Sequence, residues 1–176
     1  MQSIAPAQYV KVEPPTCPYC GRESKLTYGD EMYPHRPDLQ MLAFWNCKFC
    51  NAYVGCHKEG SWVGVTASGE RQYSDGTLPL GRLADRTLRG LKKATHQAFD
   101  PFWKSYALWT KHPAYTKAAK HDTARRKVLY QWLADTLGIT YDECHVGMFD
   151  EDQCRRVIQL CTQLQAAAKY GLTNSR

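Results

Sequence analysis

The chain alternates two kinds of hydrophobic spacing. Up to about residue 66 its apolar residues fall in short runs of a few residues, set between turn-forming stretches. Beyond residue 82 they recur every three to four positions. The first pattern predicts strands and the second helices. The expected strands are Ser24–Tyr28, Met41–Trp45, Ala52–Cys56 and Trp62–Thr66. Between the first two, Pro34 and Pro37 predict a loop over residues 30–38. A helix is expected from Leu83 to Phe99, with Ala84, Leu88, Leu91, Thr95 and Ala98 on one stripe. A second helix is expected over Thr123–Leu137, capped by Asp122 and closed by Gly138, with Leu129, Trp132, Leu133 and Leu137 facing its core. Thr140 and Glu143 have capping-box spacing and predict a short helix. The run from Asp150 to Gln153 opens a last helix, with Cys154, Val157, Ile158, Cys161, Leu164 and Ala168 on one face and Gly171 at its end.

Strands first and helices second give an α+β class. The expected layout is an N-terminal four-cysteine zinc ribbon followed by a C-terminal helical bundle. Residues 1–16, with Pro6, Pro14 and Pro15, read as an extended lead-in. Residues 17–66 form the ribbon. Residues 67–81, rich in Ser, Gly, Asp and Pro, read as a linker loop. Residues 82–176 are a helical region packed on the ribbon.

The ribbon assignment rests on two C-x-x-C knuckles. Cys17 and Cys20 make the first, Cys47 and Cys50 the second, with 26 residues between them. Two such pairs supply the four thiolates a tetrahedral zinc ion needs. Gly21 and Asn51 follow the knuckles and favour the tight turns they require. The rival reading is two disulfides or chance pairs. The ribbon is small, so one structural zinc would supply much of its folding free energy, about 10 kcal/mol or more. Four thiolates leave no open coordination position, so the ion holds structure and does not activate water. The chain carries eight cysteines and shows neither a leader nor a membrane-spanning run, which points to reduced thiols in a cytoplasm and no membrane partner.

Charge changes the picture next. The chain carries +6, but Arg82 to Lys127 holds 12 Lys or Arg against 3 Asp or Glu, leaving −3 for the rest. Such a segment suits a polyanion, with DNA or RNA first. Arg82, Arg86, Arg89, Lys92 and Lys93 are the candidate phosphate contacts, with Lys48 and Lys58 adding charge on the ribbon. Tyr19 and Phe49, inside the knuckles, are candidates to stack on unpaired bases. A solvated basic helix face is the plain alternative, and core packing is the alternative for each ring. The stretch Tyr130–Ile139 has helix-turn-helix phrasing. Its following segment carries Asp142 and Glu143, a poor reader of DNA.

A second polar site could gather His57, His96, Asp100, His145 and Asp150 around a metal or catalytic centre. The competing reading makes them separate hydrogen-bonding residues. No H-E-x-x-H, G-x-S-x-G or phosphate-loop motif supports catalysis. Cys154 and Cys161 read as small buried hydrophobes.

Six phrases together carry a resemblance. They are C-P-Y-C-G at Cys17, C-x-x-C-x-A-Y-V-G-C-H from Cys47 to His57, and P-L-G-R-L-A-D-R-x-L-R from Pro79 to Arg89. The others are H-x-x-F-D-P-x-W from His96, Y-x-W-L-A-x-x-L-G-I from Tyr130, and C-H-V-G-M-F-D from Cys144. The chain resembles a small phage and prophage zinc-finger-containing domain of unknown function, over about Cys17 to Ile158. The resemblance implies one zinc-bearing domain, usually phage-encoded and so at work in the host cytoplasm. It brings no catalytic residues. Lys58 to Leu78 departs from that pattern as a long insertion, a place where a host partner could be gripped.

Three functions follow. The first is a zinc-binding accessory protein, without catalysis, that binds nucleic acid or a nucleoprotein complex. The alternative is a protein–protein module that inhibits a host defence or transcription complex. The third is a metal-dependent nuclease built on the His and Asp set. Nothing in the sequence fixes the oligomeric state.

Overall fold

The computed structural model describes residues 8–170, so Gly171, the expected end of the last helix, lies outside the described residues. The chain is α+β. It divides into two compact units, with the boundary between Arg86 and Thr87.

The first unit holds two three-stranded sheets. One is antiparallel, in the order β2 (Lys25–Tyr28), β3 (Ala43–Cys47), β4 (Ala52–Gly55). β3 has the buried pattern of a central strand, with Phe44, Trp45, Asn46 and Cys47 all buried. The expected loop after β2 contains a single helical turn, α1 (Gly29–Met32), and a 3-10 turn at Pro37–Leu39. Two prolines do not forbid such short turns, because proline is accepted at the first helical position.

The second sheet corrects the expected linker. Residues 67–81 contain β6 (Arg71–Ser74), which pairs antiparallel with β5 (Trp62–Val65) and parallel with β1 (Gln8–Val10). The Ser and Gly content that reads as linker is that of the turn closing this hairpin. There the Thr66 amide donates to the Glu70 carbonyl at 2.8 Å and the Gly69 amide donates to the Thr66 carbonyl at 2.9 Å. The proline-containing lead-in likewise contributes β1.

The second unit holds the long helices α2 (Arg86–Phe99), α5 (Asp122–Leu137) and α6 (Glu151–Tyr170), with one-turn helices α3 (Pro101–Lys104) and α4 (Tyr106–Trp109) between the first two. α2 starts three residues later than its periodicity suggests. Leu83 and Ala84 are spent on the first unit instead: Ala84 and Tyr53 exchange amide–carbonyl bonds of 3.1 and 3.0 Å, and Leu83 is buried there. Arg82 is therefore not on the helix. On α2, Leu88, Thr95 and Phe99 are the buried positions, while Leu91 and Ala98 are half-buried. Each long helix touches the other two. Phe99 meets Tyr130 edge-on at 5.2 Å between ring centres, Thr95 donates to the Cys154 carbonyl at 3.5 Å, and Arg156 donates to the Thr136 carbonyl at 3.1 Å.

The caps are partly as expected. His121, not Asp122, caps α5: its Nδ1 accepts from the Ala124 amide at 3.4 Å, while Asp122 sits in the first turn and pairs with Arg125 at 2.8 Å. Gly138 closes α5 with φ 70°. Thr140 and Glu143 do bond reciprocally, amide to side chain, at 3.0 and 3.3 Å, but the segment beyond makes turns and not a helix. Asp150 and Gln153 form the same reciprocal pair at 3.0 and 2.9 Å, and α6 follows. Cys154, Val157 and Cys161 are buried on α6, as expected, with Ile158, Leu164 and Ala168 half-buried. Burial pushes the Cys161 thiol up to about 12.

Candidate metal centre

Each knuckle is a turn clamped at its base by backbone pairing. Thr16 and Glu23 bridge across the first, and the Gly21 amide donates to the Cys17 carbonyl at 2.9 Å. Gly21 sits at φ 71°, where a side chain would be strained. Cys47 and Ala52 pair across the second, which is the loop joining β3 to β4. Asn51 takes φ 48° there, a conformation asparagine tolerates better than most side-chain-bearing residues. Because β2 pairs with β3, the two turns arrive at the same end of one sheet.

The result is a compact set of sulfurs. The Sγ atoms of Cys17, Cys20, Cys47 and Cys50 all lie within 4.8 Å of one another. Cys20 and Cys47 approach to 3.6 Å. A tetrahedral zinc with about 2.3 Å bonds to sulfur needs its sulfurs about 3.8 Å apart, so the set fits the ion. The rival disulfide reading fails, since all eight cysteines are free thiols. Beneath the site, Cys17, Trp45, Cys47, Ala52 and Leu83 form one buried apolar cluster.

The thiols differ in their protonation before any metal arrives. The Arg22 amide hydrogen bond holds Cys20 down to about 7. Hydrogen bonding with the Cys20 sulfur pushes Cys50 up to about 12, and burial raises Cys17. Cys20 is thus the readiest thiolate, exposed at the edge of the site. Zinc would draw the remaining protons off as it binds.

A family model described as a zinc-finger-containing domain matches residues 13–123 and 110–164. The chain belongs to that family. No curated protein and no solved structure matches it. Membership and the four-sulfur cluster together give the protein one structural zinc. All four ligands come from side chains, which leaves the ion no position for water.

The other candidate residues fall in both units. In the first unit, Arg82 precedes the helix and Lys48 is exposed on the second knuckle. Phe49 is 79% exposed, and the Arg22 guanidinium lies 3.8 Å above its ring, a partner that sequence reading did not single out. Tyr19 is also exposed, with its hydroxyl accepting from the Asp85 amide at 3.1 Å. His57 is half-buried beside a groove of about 360 Å³, and its carbonyl accepts from Ser74 Oγ at 3.3 Å.

In the second unit, Arg86, Lys93 and His96 are exposed along α2, with Arg89 and Lys92 half-buried. Lys92 Nζ donates to the Gly147 carbonyl at 2.5 Å. His96 Nδ1 lies 3.4 Å from Asp100 Oδ1, and Lys104 Nζ donates to Asp100 Oδ2 at 2.9 Å. Burial works against ionisation of Asp100, yet Lys104 and His96 hold its carboxyl below the usual range. His145 Nδ1 accepts from the Gly147 amide at 3.1 Å, and Asp150 is occupied in capping α6. Among the described residues of this unit, no three His, Cys, Asp or Glu side chains gather closely enough to hold an ion. No helix among the described residues is long and apolar enough to cross a membrane.

Proposed function

We propose that this protein is a phage-type accessory protein that works by binding nucleic acid, or a nucleoprotein complex, on a scaffold fastened by zinc. The observation that carries the reading is the basic face of α2. Arg86, Arg89 and Lys93 recur at helical spacing, and the helix has no acidic residue in its first turn. That face belongs to a segment with 12 Lys or Arg against 3 Asp or Glu. Cations repeated along a helix can meet successive phosphates and release their counterions. A four-thiolate zinc supports stability and not hydrolysis, which agrees with a binding role.

The experiment is a gel-shift series with single- and double-stranded DNA and RNA at rising salt. The expected result is binding that weakens steeply as salt increases. Failure to bind any of them at low salt would overturn the reading.

One observation favours a protein-docking role instead. Tyr28, Met41 and Leu42 are 48, 90 and 38% exposed along the groove beside His57. Co-purification from nuclease-treated host lysate separates the two readings. A stoichiometric protein that survives nuclease treatment supports docking, and its absence removes it.

A further inference from the structure

The second sheet brings three aromatic residues into one row. Tyr9 on β1 is in register with Tyr73 on β6, and Tyr73 is in register with Trp62 on β5. Residues paired across neighbouring strands send their side chains to the same face. Strands lie about 4.8 Å apart, so the three rings span about 10 Å.

Burial identifies which face they occupy. Ser74, the next residue along β6, is fully buried and bonds to the His57 carbonyl, while Val10 beside it is half-buried. The alternate positions therefore face outward. Tyr9 is 53% and Trp62 64% exposed, with Tyr73 half-buried between them. Rings of this size are costly to leave in water side by side, and a contiguous exposed apolar patch marks a binding surface.

Charge then selects the occupant. Arg71 lies two residues before Tyr73 on β6, and Lys11 lies two residues after Tyr9 beyond β1. The two strands run parallel, so exposed cations bracket the aromatic row along the strand direction, one on each side. A carboxylate flanks β6 at each end: Glu70 accepts from Gln8 Nε2 at 2.8 Å and from Ser68 Oγ at 3.4 Å, and Asp75 accepts from the Thr77 amide at 2.8 Å and from Thr77 Oγ1 at 2.7 Å. Flat rings flanked by cations match unstacked bases flanked by phosphates. A duplex keeps its bases stacked inside and cannot present them to such a row.

We infer that the outward face of this sheet, with Tyr9, Tyr73 and Trp62 as stacking rings and Lys11 and Arg71 as phosphate contacts, binds single-stranded nucleic acid. The inference rests on the nucleic-acid reading above and assigns it a second surface with its own substrate class. Two or three bases fit the length of the row. Trp62, Arg71 and Tyr73 lie within the stretch matched by the family model, residues 13–123, while Tyr9 and Lys11 precede it.

The test uses the full zinc-loaded chain with fluorescein-labelled 12-mers of dT and U and a duplex of equal length, read by anisotropy. A Tyr9→Ala/Trp62→Ala variant should bind both single strands at least tenfold more weakly while its duplex binding and zinc content are unchanged. Trp62→Phe, which keeps a ring and the fold, should retain most of the affinity but lose the tryptophan quenching that accompanies binding. Loss of only one single-stranded arm would assign the surface to DNA or to RNA and support it equally. Single-strand binding by the alanine variant that equals wild type would overturn the surface and leave the basic helix standing. Loss of single-strand binding only in an Arg86→Ala/Lys93→Ala variant would do the same. No binding of any oligonucleotide by the wild-type chain at low salt would overturn both.

Discussion

Cys20 and Cys47 place their sulfurs 3.6 Å apart although 27 positions separate them along the chain. That closure is made by two backbone-clamped turns, and the ion locks it. Cys47→Ser should leave less than one zinc per chain by elemental analysis, and chelation of the wild type should lower its melting temperature steeply. Structural zinc sites contribute on the order of 10 kcal/mol to folding, so both changes should unfold the first unit. A melting curve insensitive to chelator would contradict a structural ion.

Gly29 offers a sharper packing test. A Cβ built there would lie 1.7 Å from the Leu39 carbonyl oxygen, which is backbone and cannot rotate away. Gly29→Ala should therefore cost about 3 kcal/mol or more, read as a shift in the denaturation midpoint. Gly90→Ala is the natural control. It has open space at its Cβ and sits inside α2, so it should be neutral or stabilising by about 1 kcal/mol.

His112 makes the helical unit sensitive to acid. It is 4% exposed, packed against the rings of Phe102, Trp109 and Trp132, and burial pushes its pKa down to about 4. Its Nδ1 accepts from the Ala114 amide at 3.1 Å, which keeps the ring neutral. The unfolded chain takes up this proton near pH 6.5, and the folded chain only near 4. Stability from this group is complete above pH 6.5 and falls progressively as pH drops toward 4, by about 3 kcal/mol in all. His112→Phe should flatten stability over that window. A slope unchanged by the substitution would remove His112 as its source.

The basic face of α2 should appear in salt dependence. Replacing both Arg86 and Lys93 by alanine should reduce the slope of log affinity against log salt by about two. The variant should keep its helical content, since alanine is the better helix former. An unchanged slope would move the phosphate contacts elsewhere.

How much of this was legible in the sequence depends on the range over which each signal acts. The knuckles were legible because the metal imposes a local spacing, and turn residues flank each pair. Helices α5 and α6 were legible because their periodicity agrees with Gly138 at the end of the one and the Asp150–Gln153 pair at the start of the other. The start of α2 was not, because Ala84 fits the helical stripe yet pairs with Tyr53 of β4, and Leu83 beside it joins the buried cluster at the zinc site, a tertiary demand that overrides local pattern. β6 was hidden for the same reason. Four residues between Ser- and Gly-rich turns become a strand only when β1 and β5 are there to pair with them. Within the second polar set, His96 and Asp100 are brought together at 3.4 Å, because helical spacing of four is a local rule. Bringing in His145 or Asp150 would require long-range packing that no local pattern reports.

The loop between β2 and β3 closes on itself. Tyr28 pairs with Ala43, and the Gly29 amide donates to the Leu42 carbonyl at 3.0 Å, so everything between leaves and re-enters the sheet at one rung. The zinc ligands sit at the far end of those strands and cannot sense how many residues the excursion contains. The 26-residue interval between the knuckles is thus a free variable of the architecture. Lengthening or trimming it at residues 34–38 should alter the groove wall beside Met41 and leave metal affinity intact. Relatives of this chain are then better sought by their two clamped turns and the β3–β4 hairpin than by any fixed distance between cysteine pairs.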